Sequence, residues 1–227
     1  MDAAIRFATG LRSCSMARAI PIVFVVDDDI SIRESLESLI ARAGWRAQLF
    51  GSAQEFLASP RPASPSCLVL DVNLPDLNGL VLQERIVGER AGMPIIFLTG
   101  YGDIPMSVQA MKAGAVEFLT KPFTPEVLVI SIRSALERSQ VCCDEEENLQ
   151  TLRNCHKSLS RREREVMALV VCGRLNKQVG GDLGISEITV KKHRGRAMRK
   201  MHAKSLPELV SIAARLHIKT AGWTGSP

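Results

Sequence analysis

The 227-residue sequence predicts an α/β domain built on a doubly wound, five-stranded parallel sheet, followed by a smaller all-α domain. Three observations predict it. Between residues 20 and 140, five short apolar runs alternate with amphipathic stretches, as in a sheet covered by helices on both faces. Beyond residue 156 only helical spacings remain. The charge divides at the same place: residues 20–140 carry −4, and residues 156–227 carry +10 in a chain whose net charge is +5. A small segment that basic is drawn to a polyanion, most simply nucleic acid.

The length suits one large domain or two small ones at roughly 100–200 residues each. With 46% hydrophobic and 23% charged residues, wholesale disorder and collagen-like repeats are excluded. No apolar stretch approaches the ~20 residues of a membrane-spanning helix. Six cysteines in a chain of this length, without a secretory signal, do not make a disulfide framework. A soluble, cytoplasmic protein with no membrane partner is expected.

Each element has its own signal. Ile22 to Val26 reads as a buried strand, ended by Asp27-Asp28-Asp29. From Ile30 to Ala43, Ile32, Leu36, Leu39 and Ile40 recur at helical spacing, and Gly44 stops the helix. Further strands are expected at Ala47 to Phe50, Cys67 to Leu70, Pro94 to Leu98 and Val116 to Leu119, with helical patterns between them. The proline-rich segment from Pro60 to Pro65 is a rigid loop within the domain. A helix from Thr124 to about Arg138, with Pro125 at its start, continues toward Leu152 through the acidic run Asp144 to Glu147.

In the basic segment, Ser160 and Glu163 fit a capping box opening a helix with Val166, Leu169 and Val170 inward. A short helix covers Lys177 to Leu183, and Gly184 and Ser186 supply a stop and a new cap. The next helix runs from Glu187 to about Met201, with Val190, Ala197 and Met201 as its narrow apolar face. A last helix, Pro207 to about Leu216, buries Leu209, Ile212, Ala213 and Leu216. Short helices joined by a glycine-containing turn make a helix-turn-helix. The third helix carries Lys191, Lys192, His193, Arg194, Arg196, Arg199 and Lys200, and no acid occurs between Thr189 and Pro207. Such a helix suits phosphates and base edges in the major groove of double-stranded DNA.

In doubly wound sheets, chemistry gathers beyond the carboxyl ends of the strands. Here those ends carry Asp27 and Asp28, Asp71, Thr99 and Lys121. Three carboxylates brought together repel unless a cation lies between them, and hard oxygen donors suit Mg²⁺. A hydroxyl and an ammonium opposite are what a phosphoryl group on one carboxylate needs.

These residues resemble a family. VVDDD (25–29), LVLDVNLPDLNG (68–79), LTGYGD (98–103) and MKAGAVEFLTKPF (111–123) are similar to the motifs of bacterial response-regulator receiver domains. The resemblance covers roughly residues 20–140 and implies a flavodoxin-like fold. It implies that Asp71 accepts a phosphoryl group from a phosphohistidine on a sensor histidine kinase. Asp27, Asp28, Asp71 and the backbone carbonyl of Asn73 then hold Mg²⁺, while Thr99 and Lys121 bind the phosphoryl oxygens. It further implies a cis Lys121–Pro122 bond and a switch formed by Thr99 and Phe118. Asn73 and Tyr101 sit at positions that influence access of the hydrolytic water. By the same resemblance, a face from about Asp103 to Leu119 dimerises the receivers on phosphorylation.

LSRREREVMALVVCGRLNKQVGGDLGISEITVKKHRGRAMRKMHAKSLPELV (159–210) resembles the LuxR-type DNA-binding domain of FixJ/NarL-type regulators. The implied arrangement is a receiver at 20–140, a partly helical linker at 141–156 and a helix-turn-helix domain at 157–219. Residues 1–19 are either a disordered extension or precede a true start at Met16, and residues 220–227 form a tail. Lys191 and Lys192 are implied to reach bases or nearby phosphates. Thr189, Arg194, Arg196 and Arg199 are backbone contacts or solvent-facing charges, and Asn176 and Lys177 touch phosphates. His193 packs against the core. The implied partners are a sensor kinase, promoter DNA with two-fold-related half-sites, and a second copy of the chain, with RNA polymerase as a further candidate.

Two departures from the family pattern stand out. Gly180-Gly181 replaces better helix formers, commonly alanine, at about 1 kcal/mol each, so this helix is expected to be loosely formed. Lys192 stands where an aliphatic residue is common, and Gly195 is another weak helix former. These bear on which DNA sequence is read, not on DNA binding.

Three other classes fit less well. An aspartyl-nucleophile phosphatase carries its nucleophile after the first strand in a DxDx(T/V) motif and needs a cap domain. An adaptor with a basic tail leaves the cationic helix without a purpose. A dinucleotide-binding domain lacks its GxGxxG after the first strand. The adjacent Cys142 and Cys143 suit neither a zinc site nor a redox pair, and all cysteines are expected to be reduced.

Overall fold

The computed structural model describes residues 20–90, 92–100 and 104–218. The expected N-terminal extension, Tyr101, Asp103 and the tail lie outside the described residues. The chain divides between Cys143 and Asp144 into two compact units.

In the first unit, β1 (Ile22–Val26), β2 (Arg46–Phe50), β3 (Ser66–Asp71), β4 (Ile95–Thr99) and β5 (Glu117–Thr120) form one sheet. All neighbours pair in parallel, in the order β2-β1-β3-β4-β5. The helices α1 (Ile30–Arg42), α2 (Ala53–Ala58), α3 (Gly79–Glu89), α4 (Ile104–Lys112) and the part of α5 (Pro125–Lys157) up to Cys143 connect and follow the strands, and the rest of α5 belongs to the second unit. Every residue of β1, β3 and β4 is buried, which explains why these strands read as unbroken apolar runs. Two clusters sandwich the sheet. One gathers Phe24, Phe56, Leu70 and Phe97, and the other Val25, Ile40, Val69 and Ile132.

Polar groups fix the connections. Asp29 caps α1 by accepting from the Ser31 amide at 2.8 Å. The head of α2 is held by Ser52 and also by a distant carboxylate: Asp76 accepts from the amides of Ala53 at 3.2 Å and Gln54 at 3.0 Å. Desolvation opposes ionisation of Asp76, but these amide hydrogen bonds hold its carboxyl below the usual range. At the other end of α2, the buried Arg90 donates to the carbonyls of Phe56, Leu57 and Ser59 and lies 4.3 Å from the Phe56 ring centroid.

The second unit contains α6 (Arg161–Val171), α7 (Asn176–Leu183), α8 (Glu187–Lys200) and α9 (Leu206–Arg215). The expected capping box at Ser160 and Glu163 is present. Val166, Val170, Val179 and Val190 pack α6, α7 and α8 together, and Met167, Ala197, Met201 and Leu209 join α9 to them.

Residues 176–183 form a helix closed by a left-handed Gly184, and its two glycines have different grounds. At Gly180 the reason is steric, since a Cβ there would lie 2.7 Å from the Ile185 carbonyl oxygen. The turn of the helix-turn-helix folds back onto this position. At Gly181 a Cβ would meet nothing within 4 Å. Gly181→Ala is therefore expected to stabilise this unit by about 0.5–1 kcal/mol. Gly180→Ala returns less than that, or a loss, because the carbonyl must give way. Urea denaturation of the two variants side by side checks the difference.

Candidate phosphoacceptor site and nucleic-acid interface

The strand order reverses between β1 and β3, and in an open parallel sheet that switch point opens a crevice at the carboxyl edge. Asp27 follows β1 and Asp71 ends β3, one residue further along the strand than its apolar run indicated. Carboxylate oxygens of Asp27, Asp28 and Asp71 all lie within 4.8 Å of one another. Asp27 is 2% exposed and Asp71 8%, whereas Asp28 is exposed. Lys121, just after β5, places its Nζ 2.7 Å from an oxygen of Asp27 and 2.7 Å from one of Asp71. Thr99 ends β4, fully buried, and its carbonyl accepts from the Lys121 amide at 2.7 Å. The sequence-predicted Asp27, Asp28, Asp71 and Lys121 therefore converge, and the Lys121–Pro122 bond is cis.

Burial pushes the Asp27 carboxyl above its ordinary range, although hydrogen bonds from Lys121 and the Asp29 amide oppose the shift. Desolvation works against the charge on Lys121, but its hydrogen bonds to Asp27 and Asp71 hold it above the usual lysine value. One ammonium faces three carboxylates, so the cluster keeps an excess of negative charge. Its hard oxygen donors form a metal-type acidic site.

The surroundings fix these groups in place. Oδ1 of Asp71 accepts from the Asn73 amide at 3.0 Å, and Oδ1 of Asp27 accepts from the Asp29 amide at 2.9 Å. Gly79 opens α3 against the back of the site: a Cβ there would lie 2.6 Å from the Asp71 carbonyl oxygen. Arg33 of α1 donates to the Asp27 carbonyl oxygen at 2.5 Å. Phe118, half-buried on β5, has its ring centroid 6.1 Å from that of Phe97. The roles of Gly79 and Arg33 were not anticipated. Gly79 closes the LVLDVNLPDLNG motif, and that placement was the signal for it.

In the second unit, Lys177, Lys191, Lys192, Arg196 and Arg199 are exposed. Lys191 pairs with Glu187 at 2.9 Å. Arg194 is half-buried and donates to the Asn176 side chain at 3.3 Å, tying α8 to the head of α7. The Thr189 hydroxyl shares a 2.8 Å hydrogen bond with Ser186 in the cap of α8. His193 is half-buried with its Nδ1 shielded from solvent.

The far end of α8 is clamped. Lys200 donates to Glu163 at 2.7 Å and to the Ser158 carbonyl at 3.1 Å, and the Glu163 side chain is 5% exposed. The Lys200 hydrogen bond holds the Glu163 carboxyl below its ordinary range. A carboxyl depressed in the folded state stabilises above its unfolded pKa, and that stability is lost as pH falls through the folded value. Wild type is therefore expected to lose stability in this unit below about pH 4. Glu163→Gln flattens that dependence and costs about 1–3 kcal/mol at pH 7, as thermal melts across pH 3–7 check.

A doubly wound sheet with a phosphoacceptor-type crevice, joined to a basic helix-turn-helix, defines a signal-receiving DNA-binding regulator. Comparison with known proteins agrees. The response regulator receiver domain family matches residues 23–133, and the LuxR family of bacterial regulatory proteins matches residues 157–218. Nodulation protein W of Bradyrhizobium diazoefficiens is 48% identical over 197 residues, 87% of this chain and 87% of that protein. Response regulator protein TodT of Pseudomonas putida is 41% identical over 208 residues, 92% of this chain and 91% of that protein. The solved structure of the response regulator StyR aligns with a TM-score of 0.75 at 44% identity, covering 87% of this chain and 100% of that one. The chain belongs to the two-component response regulators with a LuxR-type DNA-binding domain, and it is not a conventional enzyme. No helix among the described residues is long and apolar enough to cross a membrane.

Proposed function

We propose that the chain is a cytoplasmic transcription regulator switched by phosphorylation of Asp71. Its receiver is at 20–140, its linker at 141–156 and its DNA-binding domain at 157–219. The observation that carries this reading is the bridge from Lys121 to both Asp27 and Asp71 beside a third carboxylate.

An oxygen of Asp71 attacks the phosphorus of a phosphoimidazole on the sensor kinase. The P–N bond breaks, the imidazole leaves with a proton, and Asp71 becomes an acyl phosphate. Lys121 neutralises one phosphoryl oxygen, and the Thr99 hydroxyl donates to another. Asp27, Asp28, Asp71 and the Asn73 carbonyl hold Mg²⁺, which when bound offsets the charge gathered around the phosphoryl group.

Thr99 and Phe118 then turn inward and alter the face built from α4 and β5, where Ile104, Val108 and Met111 are exposed. Pairing two chains on this face raises the effective concentration of two basic domains at two-fold-related half-sites. Lys191 and Lys192 reach base edges or adjacent phosphates. Asn176 and Lys177 touch phosphates, Thr189, Arg194, Arg196 and Arg199 are backbone contacts or solvent-facing charges, and RNA polymerase is a further candidate partner of the bound dimer.

The test is selection of genomic DNA fragments by the full chain, with and without a small acyl phosphate and Mg²⁺. Enrichment of a two-fold-related site that strengthens on phosphorylation is expected. Phosphoryl uptake without DNA enrichment would overturn the reading in favour of a protein-binding adaptor.

A further inference from the structure

Ile188 is the one large apolar side chain that α8 leaves exposed among the described residues, at 79%. It belongs to neither apolar cluster of its unit. At 3.6 residues per turn, Ile188 lies opposite the buried Val190, Ala197 and Met201, on one stripe with Lys192, Gly195 and Arg199. Lys191 flanks it. An isoleucine so placed gains nothing from the folding of its own unit.

Gly195, two turns along the same stripe, carries the second observation. A Cβ there would meet nothing within 4 Å, so packing within the chain does not require glycine, although glycine inside a helix costs about 1 kcal/mol relative to alanine. A bare backbone on the outward stripe lets the helix settle deeply against what it binds. That partner is polyanionic, because the rest of the stripe is cationic.

The N-terminal residues of a recognition helix are those that reach base edges, and Ile188 is the second residue of α8. The thymine 5-methyl group is the apolar feature of the major groove edge. We propose that Ile188 is a specificity-determining residue that contacts a thymine methyl group in each half-site, with Gly195 allowing the approach. This rests on the DNA-binding reading above.

The experiment uses the phosphorylated full chain. Duplexes enriched from a randomised library are resynthesised with deoxyuridine in place of thymidine, one position at a time, which removes only the methyl group. Wild type is expected to lose about fourfold in affinity at one thymine per half-site, the scale of one buried methyl. Ile188→Ala loses about as much on the unmodified duplex and shows no further loss on the deoxyuridine duplex. Ile188→Val retains the sensitivity. Lys177→Gln weakens both duplexes equally and flattens the salt dependence, which separates base reading from phosphate contact. Equal wild-type affinity for every substituted duplex would overturn the proposal while leaving DNA binding intact. An Ile188→Ala variant as methyl-sensitive as wild type would do the same. Failure to enrich any duplex would overturn the underlying reading and this proposal with it.

Discussion

Asp71→Asn is expected to abolish phosphoryl uptake from a small acyl phosphate and, at the same time, to raise the stability of the receiver unit. The first result follows from loss of the nucleophilic carboxylate. The second follows from charge. Three carboxylates within 4.8 Å face one lysine, so the cluster holds more negative charge than Lys121 offsets. Asparagine keeps an oxygen to accept from the Asn73 amide and removes one charge. The relief is of order 1 kcal/mol at an effective dielectric suited to partly exposed groups, roughly 3–6 °C in melting temperature for a unit of this size. Added Mg²⁺ should close the gap, because it stabilises wild type more than the variant. Melts with and without Mg²⁺ check this. A variant that melts lower than wild type without metal would mean that the Lys121 bridge outweighs the repulsion.

Arg90→Met is expected to give the largest stability loss of the substitutions considered, about 3–4 kcal/mol in urea unfolding. Methionine keeps most of the apolar stem but no donor. The carbonyls of Phe56, Leu57 and Ser59 then lose their charged partner where the guanidinium is buried, and the contact with the Phe56 ring is lost as well. The acidic crevice lies at the carboxyl edge of the sheet, so the folded fraction should take up phosphoryl groups at the wild-type rate. Equal loss of uptake and stability would show that the Arg90 end of α2, and not only its Asp76-held head, is coupled to the crevice.

The elements that position the site were legible because their signals are local. β1, β3 and β4 are buried on both faces, so an uninterrupted apolar run marks each, and a charged or hydroxyl residue marks each end. The capping box at Ser160 and the apolar face of α8 were legible for the same reason. What escaped the sequence lies in polar contacts between distant residues. Arg90 meets α2 across more than 30 positions and Lys200 meets Glu163 across 37, and no periodicity encodes either. The requirement for glycine at position 180 was not legible, because propensity weighs a glycine against its own helix, whereas here the next turn's carbonyl sets the requirement. The convergence of Asp27, Asp71 and Lys121 was foreseeable through the rule that parallel strands aim their carboxyl ends the same way, and through the resemblance of the surrounding motifs to receiver domains.

The carboxylate that Asp76 lends to the head of α2 gives this protein a built-in spectroscopic gauge. Asp76 sits five residues beyond Asp71, yet its oxygens are read by two amide protons more than 20 positions away. Amides donating to a carboxylate resonate and exchange differently from amides facing water. Any shift of the segment between Asp71 and Gly79, whether from cation loading or from acyl phosphate formation, must alter the Ala53 and Gln54 signals. Those two resonances would report the state of the crevice without a label placed inside it.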